Sequence, residues 1–570
     1  MYHRQSENAS KKDEIFECFL GFTCTFMILL YNKTREVISL NYPYESKRNV
    51  IYAKHGICAS SQPLTSQIGL DILKAGGNAI DAAIAMAASL PVIEPTSNGI
   101  GGDLFAIVYY QGNIYGLNAS GGAPALCSLE NIQSRNHSEM PRFGFEPVTV
   151  PGAVKGWHAL SNRFGSLPFE RLFEGAIDAA KNGFALMETT AHYWNRAFEI
   201  YQKHLHHPMF QSWFDTFAPH GHTPQAGEIV RLPDHAKTLE MISTTKTDAF
   251  YKGEIADQID AYSRQYDGFL RKSDLEAFDV EWVSPISFPY LGYDVCELPP
   301  NGQGLVALEA LGILSRLHVP TTFSGETIHV QIESLKLAFA DAFAYLSDPK
   351  QMPTSYETFL SETFLHSRAS LITDKANTPT AARIVDHGTV YLCTADKEGN
   401  MVSLIQSNYM GFGSGLVVPG LGISLHNRGH NFSFEPNHPN VVAPFKRPYH
   451  TIIPGFLLKQ GKAVGPFGVM GGFMQPQGHI QVLHAMLANH LNPQAALDQP
   501  RFQWMKDKRV IVEPSMPKTI IDDLIKRGHD IHIESDLGQF GRGQIIWYDE
   551  QKQTYQAGTE KRCDGAIASY

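Results

Sequence analysis

The sequence predicts a globular protein that mixes helices with antiparallel strands, and three segments carry this prediction. Residues 79–90 are rich in alanine and almost uncharged, as in a buried helix. Residues 326–346 repeat apolar side chains at helical spacing and end before Asp348-Pro349, which indicates a long helix. In residues 389–407 the side chains alternate in the two-residue period of a strand on both sides of a short polar turn, which is typical of a β-hairpin.

Composition narrows the class of protein. Of the 570 residues, 18% are charged and 43% are hydrophobic, values that exclude a disordered, collagen-like or polytopic membrane chain. The formal net charge of −10 argues against a nucleic-acid partner, because such proteins need a basic surface. The seven cysteines are odd in number and form no CxxC pair, so free thiols are expected.

The N-terminal segment, residues 1–48, is predicted to lie outside the folded core, which begins near Asn49. From Phe19 to Tyr31 the chain carries no charge, but these thirteen residues are too few for a stable membrane span, which needs about 20. The segment is either a leader without a function of its own or a signal-peptide core. We therefore expect a cytoplasmic protein, with a periplasmic or secreted location as the alternative if the segment acts as a signal.

No pattern in the sequence indicates a metal, flavin or nucleotide. The glycine-rich turn at residues 98–102 follows a helix and precedes a strand at 104–110, which reverses the order of a dinucleotide-binding turn. A group of histidines lies in a polar stretch without an HExxH motif: His204, His206, His207, His220 and His222. We expect solvated loop histidines there, no metal site and no cofactor.

The hairpin brings two hydroxyl groups together. Residues 373–388 are polar and contain proline, so they are predicted to form an exposed linker. If the hairpin is symmetric about Glu398, paired residue numbers sum to 796, and Thr389 lies opposite Ser407. Opposed Cβ atoms in a strand pair lie about 4.5–5.5 Å apart, which allows a hydrogen bond between the two hydroxyls. Such pairs are common in sheets, so this pattern alone is weak evidence of a site.

The motifs along the chain, taken together, are far more specific. They are GGNAIDAAIA (76–85), EPTSNGIGGD (94–103), VPGAVKGW (150–157), PPNGQG (299–304), DHGTVYLCTADKEGNMVS (386–403), GFGSG (411–415), Gly471-Gly472 and DGAIASY (564–570). In this order, from about Ile57 to Tyr570, they resemble the gamma-glutamyltransferase family. SNYMGFGSG and MGGFMQPQG are similar to its bacterial gamma-glutamyltransferase-like, or glutathione hydrolase-like, branch.

The resemblance implies an α+β fold, the four-layer αββα sandwich of N-terminal nucleophile hydrolases. It also implies that the chain cuts itself between Gly388 and Thr389. Residues 49–388 then form a large subunit and residues 389–570 a small subunit, which remain associated. The freed α-amine of Thr389, with a reference pKa of about 7.7–8.0, is a suitable base for the hydroxyl on the same residue. We expect the polar linker to expose the bond that is cut.

By the same resemblance, three further residues complete the catalytic machinery. Ser407 matches the second hydroxyl, which orients the nucleophile. Gly471 and Gly472 match the pair whose backbone N–H groups form an oxyanion hole, where one lost donor typically costs about 10²–10³ in rate.

The positions that bind substrate in the family are altered here. Leu129 aligns with the arginine that binds the donor α-carboxylate, and Asn431 aligns with the aspartate that binds its α-amine. Tyr409 replaces an asparagine, and His450 and Thr451 replace paired serines. The segment at 432–447 is also shorter than in typical members, so the lid over the pocket is expected to be missing.

Arg428 is a further candidate residue for the substrate pocket. It is predicted to lie in a strand that lines the pocket. In that position Arg428 either binds the substrate carboxylate in place of the family's arginine or forms a structural salt bridge.

Three functions fit these observations. The first is a self-processing threonine amidohydrolase or acyltransferase that cleaves γ-glutamyl compounds such as glutathione through an acyl-enzyme, with water or an amine as acceptor. The second keeps the machinery but takes glutaryl-type or other N-acyl amides. The third is an unprocessed, catalytically silent binding protein. The altered amine and carboxylate positions separate the first from the second, and processing separates both from the third.

Overall fold

The computed structural model describes residues 48–379 and 388–570. The predicted leader and signal core, and residues 380–387 of the predicted linker, lie outside the described residues. In chain order the strands are β1 Ile51–Ala53, β2 Ile57–Ser60, β3 Asp103–Tyr110, β4 Asn113–Ala119, β5 Phe184–Ala185, β6 Ile229–Val230, β7 Glu281–Val283, β8 Ile286–Tyr290, β9 Tyr293–Glu297, β10 Val390–Ala395, β11 Met401–Ser407, β12 Val417–Val418, β13 Ile423–Ser424, β14 Gly455–Lys459, β15 Lys462–Met470, β16 Phe502–Lys506, β17 Arg509–Val512, β18 Asp530–Ile533, β19 Arg542–Asp549, β20 Thr554–Thr559 and β21 Ala566–Ser569.

The α-helices complete the element order. They are α1 Pro63–Lys74, α2 Ala79–Ile93, α3 Leu129–Gln133, α4 Ala153–Phe164, α5 Glu174–Asn182, α6 Glu188–His204, α7 Gln211–Phe217, α8 Pro233–Thr245, α9 Asp248–Tyr251, α10 Glu254–Gln265, α11 Lys272–Ala277, α12 Gly304–Leu314, α13 Gly325–Tyr345, α14 Glu362–Ala369, α15 Met474–Leu487, α16 Pro493–Asp498 and α17 Lys518–Lys526. Within the described ranges, no helix combines the length and apolar character needed to cross a bilayer.

Two seven-stranded sheets form the centre of the molecule, and every strand pair in them is antiparallel. The first sheet has the order β1-β20-β19-β15-β14-β9-β8, and the second has the order β21-β2-β10-β11-β3-β4-β7. Both sheets contain strands from before and from after Thr389, and these strands pair directly with each other. Backbone ladders therefore join the two parts of the chain that the family resemblance treats as separate subunits.

Three apolar clusters show how the layers stack. One cluster lies between the two sheets and contains Phe105 and Ile405 of the second sheet with Phe456 of the first. A second cluster packs α2, α4 and α5 on the outer face of the second sheet, and a third packs α12, α13 and α15 on the outer face of the first. The order helices, sheet, sheet, helices is the predicted four-layer αββα sandwich.

The predicted buried helix is α2, and its beginning is well capped. Every residue of α2 is buried, in agreement with its alanine-rich, almost uncharged sequence. Asn78 Oδ1 accepts hydrogen bonds from the N–H groups of Ile80 and Asp81, both at 2.9 Å, and Asp81 Oδ2 accepts from Asn78 N at 3.1 Å. This reciprocal capping box satisfies N–H groups that would otherwise lack partners at the helix start.

The predicted hairpin is confirmed, including its register. Val390 pairs with Gln406 and Ala395 with Met401, so each pair of numbers sums to 796. Asp396 closes the turn by accepting hydrogen bonds from the N–H groups of Glu398 and Asn400, both at 3.0 Å. Because side chains alternate along a strand, Thr389 and Ser407 share the face of Tyr391 and Ile405, which belong to the cluster between the sheets.

Candidate active site

Thr389 and Ser407 meet at the end of the hairpin, as their register predicts. Their hydroxyl oxygens lie 3.1 Å apart, and both side chains are buried. The Gly388 carbonyl oxygen lies 2.8 Å from Thr389 Oγ1 and 3.0 Å from Ser407 Oγ. Ser407 Oγ also accepts a hydrogen bond from Tyr409 N at 2.8 Å, which fixes its lone pairs. Two oriented hydroxyls therefore contact the peptide group that precedes Thr389.

The Gly388–Thr389 bond is less exposed than expected, since Gly388 is half-buried. Thr389 is fully buried, and a Cβ atom at Gly388 would lie only 3.1 Å from the Gly411 nitrogen and 3.2 Å from Ser97 Cα. Attack of the Thr389 hydroxyl on the Gly388 carbonyl moves the acyl group from nitrogen to oxygen within the chain, so burial is compatible with this first step. One water molecule must then reach the ester to release the Gly388 carboxylate and the Thr389 hydroxyl. The close packing also explains why position 388 requires a residue without a side chain.

Gly471 and Gly472 directly follow β15, at the end of this strand of the first sheet. Both have positive φ angles, of 134° and 57°, and Met470 before them belongs to the inter-sheet cluster. Within the described ranges, neither N–H group donates to a protein acceptor in a turn or loop. Gln303 Nε2 donates to the Gly472 carbonyl at 2.8 Å and holds this turn. The two N–H groups are therefore available to a ligand.

Arg428 is a fully buried cation beside the hydroxyl pair. It donates to Thr451 Oγ1 at 2.8 Å and to Ser407 Oγ at 3.4 Å, and its guanidinium lies 4.2 Å from the ring centre of Tyr409. Burial lowers the pKa of Arg428 to about 10, so the side chain remains charged at neutral pH. Its Nε atom has no hydrogen-bond partner in the part of the chain that the structure describes.

Two expectations about Arg428 are corrected. It does not lie in a strand, because Arg428–Asn431 form a turn of 3-10 helix. It is also not half of a structural salt bridge, since no described carboxylate comes within 4.0 Å of its guanidinium. The nearest opposing charge is Asp103, which acts from beyond contact distance.

A network of buried charged and polar side chains that the sequence did not predict surrounds this arginine. Asp103 pairs with Ser407 in the ladder between β3 and β11, and its Oδ2 accepts from His450 Nε2 at 3.0 Å and lies 3.3 Å from His426 Nδ1. Burial raises the pKa of Asp103, but the two histidines more than offset this and hold it below the ordinary range. Burial lowers the pKa of His450 to about 3, so it is neutral, and its Nδ1 accepts from Ile452 N at 3.3 Å. The spacing of more than 300 residues between Asp103 and the histidines left no local signal.

Two of the residues at the altered substrate positions, Tyr409 and Asn431, bind each other. Tyr409, at a φ of 74°, donates its hydroxyl to Asn431 Oδ1, and Asn431 Nδ2 donates to the Tyr449 carbonyl at 2.9 Å. The amide of Asn431 is thus oriented by the protein on both sides. Leu129 begins α3 and packs against a small apolar cluster that contains Cys127 and Phe432. Leu129 supplies no charge at the position of the family's arginine.

The fold and the site together define the class of protein. Two antiparallel sheets between helices, with a buried threonine and a second hydroxyl at a strand terminus, are the arrangement of an N-terminal nucleophile hydrolase. The family model described as Gamma-glutamyltranspeptidase matches residues 65–570. The chain therefore belongs to the gamma-glutamyltranspeptidase family.

Named relatives and a solved structure cover nearly the whole chain. The glutathione hydrolase-like YwrD proenzyme of Bacillus subtilis is 32% identical, over 91% of this chain and 99% of that protein. The oxamate amidohydrolase proenzyme of Klebsiella pneumoniae is 31% identical, over 90% and 98%. The crystal structure of cephalosporin acylase from Bacillus halodurans is 51% identical, with a TM-score of 0.91, over 93% of this chain and 98% of that one. The protein is a self-processing amidohydrolase of this class.

Proposed function

We propose that the protein hydrolyses amides whose acyl group carries a free carboxylate, with γ-glutamyl and glutaryl compounds both accepted. Thr389 is the nucleophile after the Gly388–Thr389 bond is cut, and its own α-amine takes the hydroxyl proton. The amide carbonyl then forms an ester with Thr389 Oγ1, the amine leaves, and water or another amine releases the acyl group. Ser407 orients the hydroxyl, and the free N–H groups of Gly471 and Gly472 stabilise the oxyanion.

The observation that carries this proposal is the buried, unpaired guanidinium of Arg428. Its neighbours Ser407 and Thr451 are neutral, so the charge has no direct partner among the described residues. A buried charge is stable only when it is paired or well hydrogen bonded, and an arginine fork matches a carboxylate in two parallel hydrogen bonds. A substrate carboxylate supplies that partner. Because Arg428 contacts Ser407, the carboxylate also lies within reach of Thr389.

Nothing in the described pocket supplies a matching anion for an α-ammonium. Asn431 is neutral and its amide is already hydrogen bonded to Tyr409 and Tyr449. His450 uses both ring nitrogens within the protein, so we assign it a positioning role through Asp103. Two similar proteins are named for amides outside the γ-glutamyl class, an oxamate amidohydrolase and a cephalosporin acylase. Oxamate itself combines an amide with a carboxylate and has no amine, which supports the proposal.

The carboxylate half of the proposal is tested by Arg428→Met. For glutaryl p-nitroanilide, kcat/KM should fall about 100-fold, because a charge-assisted hydrogen bond contributes about 1.5–3 kcal/mol. Butyryl p-nitroanilide has the same chain without the carboxylate and serves as the internal control. Equal losses for the two substrates would mean that Arg428 supports the fold or the nucleophile and does not bind the carboxylate.

The amine half is tested by comparing γ-glutamyl and glutaryl p-nitroanilides. Their kcat/KM values should agree within about tenfold, under about 1.4 kcal/mol of discrimination, because the pocket ignores the amine that distinguishes them. Asn431→Asp should shift the ratio toward the γ-glutamyl compound, since its ammonium can bridge the new carboxylate and the Tyr449 carbonyl. Asn437→Asp adds the same charge at an exposed position of this loop and should leave the ratio unchanged. A native preference for γ-glutamyl of about a thousandfold contradicts the proposal.

A further inference from the structure

A second cluster of chemically active side chains lies outside the active site. His329 and Glu333 are one turn apart on α13, and His529 lies in the loop after α17. All three are buried, and one ligand atom from each lies within 4.8 Å of the others. The sequence contains no local motif for this group, because His329 and His529 are 200 positions apart. Two imidazoles and a carboxylate, with a water molecule as fourth ligand, are one of the donor sets that bind Zn²⁺ in proteins.

The hydrogen bonds of His329 direct a lone pair into the cluster. His329 Nε2 lies 2.7 Å from the Thr373 carbonyl and must carry the proton, since that carbonyl can only accept. Its Nδ1 is then unprotonated and lies 2.8 Å from His529 Nε2. An N–H group held by a backbone carbonyl is the usual way in which a metal-binding histidine is oriented.

His529 can turn a lone pair toward the same point by a change of tautomer. Its Nε2 now donates to His329, and its Nδ1 has no hydrogen-bond partner among residues 48–379 and 388–570. Moving the ring proton from Nε2 to Nδ1 breaks the bond between the two histidines and leaves a buried N–H group without a described acceptor, a cost of about 1–3 kcal/mol that metal binding must exceed. A metal that binds both nitrogens replaces that bond.

Glu333 completes the set and connects it to the chain ahead of the cleavage site. Its Oε1 lies 4.0 Å from His529 Nε2, and its Oε2 accepts from Asn377 N at 3.1 Å. Ligand atoms of a tetrahedral zinc ion lie about 3.4 Å apart, given zinc–nitrogen distances of about 2.0–2.1 Å. The observed spacings of 2.8 and 4.0 Å lie on either side of that value. Shifts below 1 Å at each side chain, about the motion of a rotamer within its well, bring them into line.

We propose that His329 Nδ1, His529 Nε2 and Glu333 Oε1 bind one Zn²⁺ ion, with water as the fourth ligand. The ion joins α13 to the loop after α17 and also holds the segment at Thr373 and Asn377, because the Thr373 carbonyl orients His329 and the Asn377 N–H binds Glu333. Thr373 and Asn377 lie 15 and 11 positions before Gly388. The site shares no described side-chain contact with the active site, so the proposal does not rest on the proposed function. Its role is to hold the end of the segment that leads to the cleavage point.

Lys336 supplies a distinctive test because it competes with the metal. Its ammonium lies 2.7 Å from Glu333 Oε1 and donates to the Asn377 carbonyl at 2.9 Å. Two cations at one carboxylate oxygen repel each other. Lys336→Met removes the competing charge and retains an unbranched side chain of similar length. Zinc should therefore bind this variant more tightly than it binds the native protein, by about tenfold.

The experiment is a calorimetric titration of the purified, chelator-treated full chain with ZnCl₂. The native protein should bind one equivalent with a Kd of about 1 µM or below, and His529→Ala should weaken binding at least about 100-fold. The double variant His220→Ala/His222→Ala removes two ring-adjacent histidines from an exposed loop and should bind like the native protein. Hydrogen exchange at the Ala376 and Asn377 amides should slow about tenfold on zinc addition.

Two results overturn the proposal. One is the absence of stoichiometric zinc binding below about 100 µM in both the native protein and Lys336→Met. The other is binding that survives unchanged in His529→Ala or in His329→Gln, which keeps a polar side chain if the alanine variant does not fold. Titration with CoCl₂ gives a spectroscopic readout that does not require the substitution of any of the three metal-binding residues. A tetrahedral cobalt spectrum that strengthens in Lys336→Met supports the site, and an octahedral, water-like spectrum contradicts it.

Discussion

The Ser407 side chain shows how much of the proposed chemistry depends on the placement of single atoms. Its hydroxyl contacts Thr389 and the Gly388 carbonyl while it accepts hydrogen bonds from Tyr409 and Arg428. One oxygen thus links the nucleophile, the peptide group to be cut and the carboxylate-binding cation. A residue in this position affects the reacting hydroxyl without holding the acyl group.

We predict that Ser407→Ala lowers kcat about 100-fold in the processed enzyme and changes KM by less than about threefold. The reason is that Ser407 positions Thr389 for attack, whereas Arg428 binds the substrate. Ser403→Ala is the matched control, because Ser403 lies on the same face of β11 and, among the described residues, its hydroxyl has Tyr391 as its side-chain partner, at 2.8 Å. Steady-state kinetics with glutaryl p-nitroanilide give both constants. An unchanged kcat would disprove the positioning role.

At the scale of secondary structure, the start of α2 joins the second sheet to the helical layer on its outer face. Asp396 Oδ2 accepts from Ala79 N at 2.9 Å, and Thr394 Oγ1 donates to the Ala79 carbonyl at 2.7 Å. The hairpin that carries Thr389 is thus fixed to the capped end of α2. The cap residue Asn78 also donates to the Phe164 carbonyl at 2.7 Å, which brings in the end of α4.

Asn78→Ala should lower the free energy of unfolding by about 2 kcal/mol, because it removes the side-chain cap of a fully buried helix. Asn78→Ser keeps the capping oxygen but loses the amide that donates to the Phe164 carbonyl and to Ser166 Oγ, so it should recover about 1 kcal/mol of that loss. Urea unfolding, with the midpoint and slope both fitted, gives the two values. If alanine and serine destabilise equally, the cap contributes nothing and the bonds to Phe164 and Ser166 account for the effect.

The predictions that succeeded at this scale depend on local patterns. Alternation on both sides of a turn predicted the hairpin register, and the almost uncharged run at 79–90 predicted a buried helix. Both patterns could be recognised because each lies within twenty residues. The path of Arg428 was not predictable in this way, since its 3-10 turn is set by distant contacts with Ser407 and Thr451. The pairing of Asp103 with His426 and His450, and of His329 with His529, likewise arises only from tertiary packing. Family resemblance located the candidate nucleophile, but only the folded chain reveals what surrounds it.

At the scale of the whole molecule, each sheet combines strands from both sides of the cleavage point, and this limits the structural effect of cleavage. The central strands β10 and β11 come after Thr389, and their neighbours β2 and β3 come before it. Cutting the Gly388–Thr389 bond breaks none of these ladders. We therefore expect the two parts to remain one folded unit. The cut frees the Gly388 carboxylate and, next to the hydroxyl pair, the Thr389 α-amine, which is the base that the proposed reaction needs.

The central claim is that this cut occurs and that Thr389 performs it. The most direct measurement is N-terminal sequencing of any small fragment in the purified protein, together with the same analysis of Thr389→Ala. We expect a fragment that begins at Thr389 and holds 182 residues (570 − 388) in the native protein, and a single uncut chain in the variant. A native protein that stays in one piece, or an alanine variant that still yields the same fragment, would contradict the account.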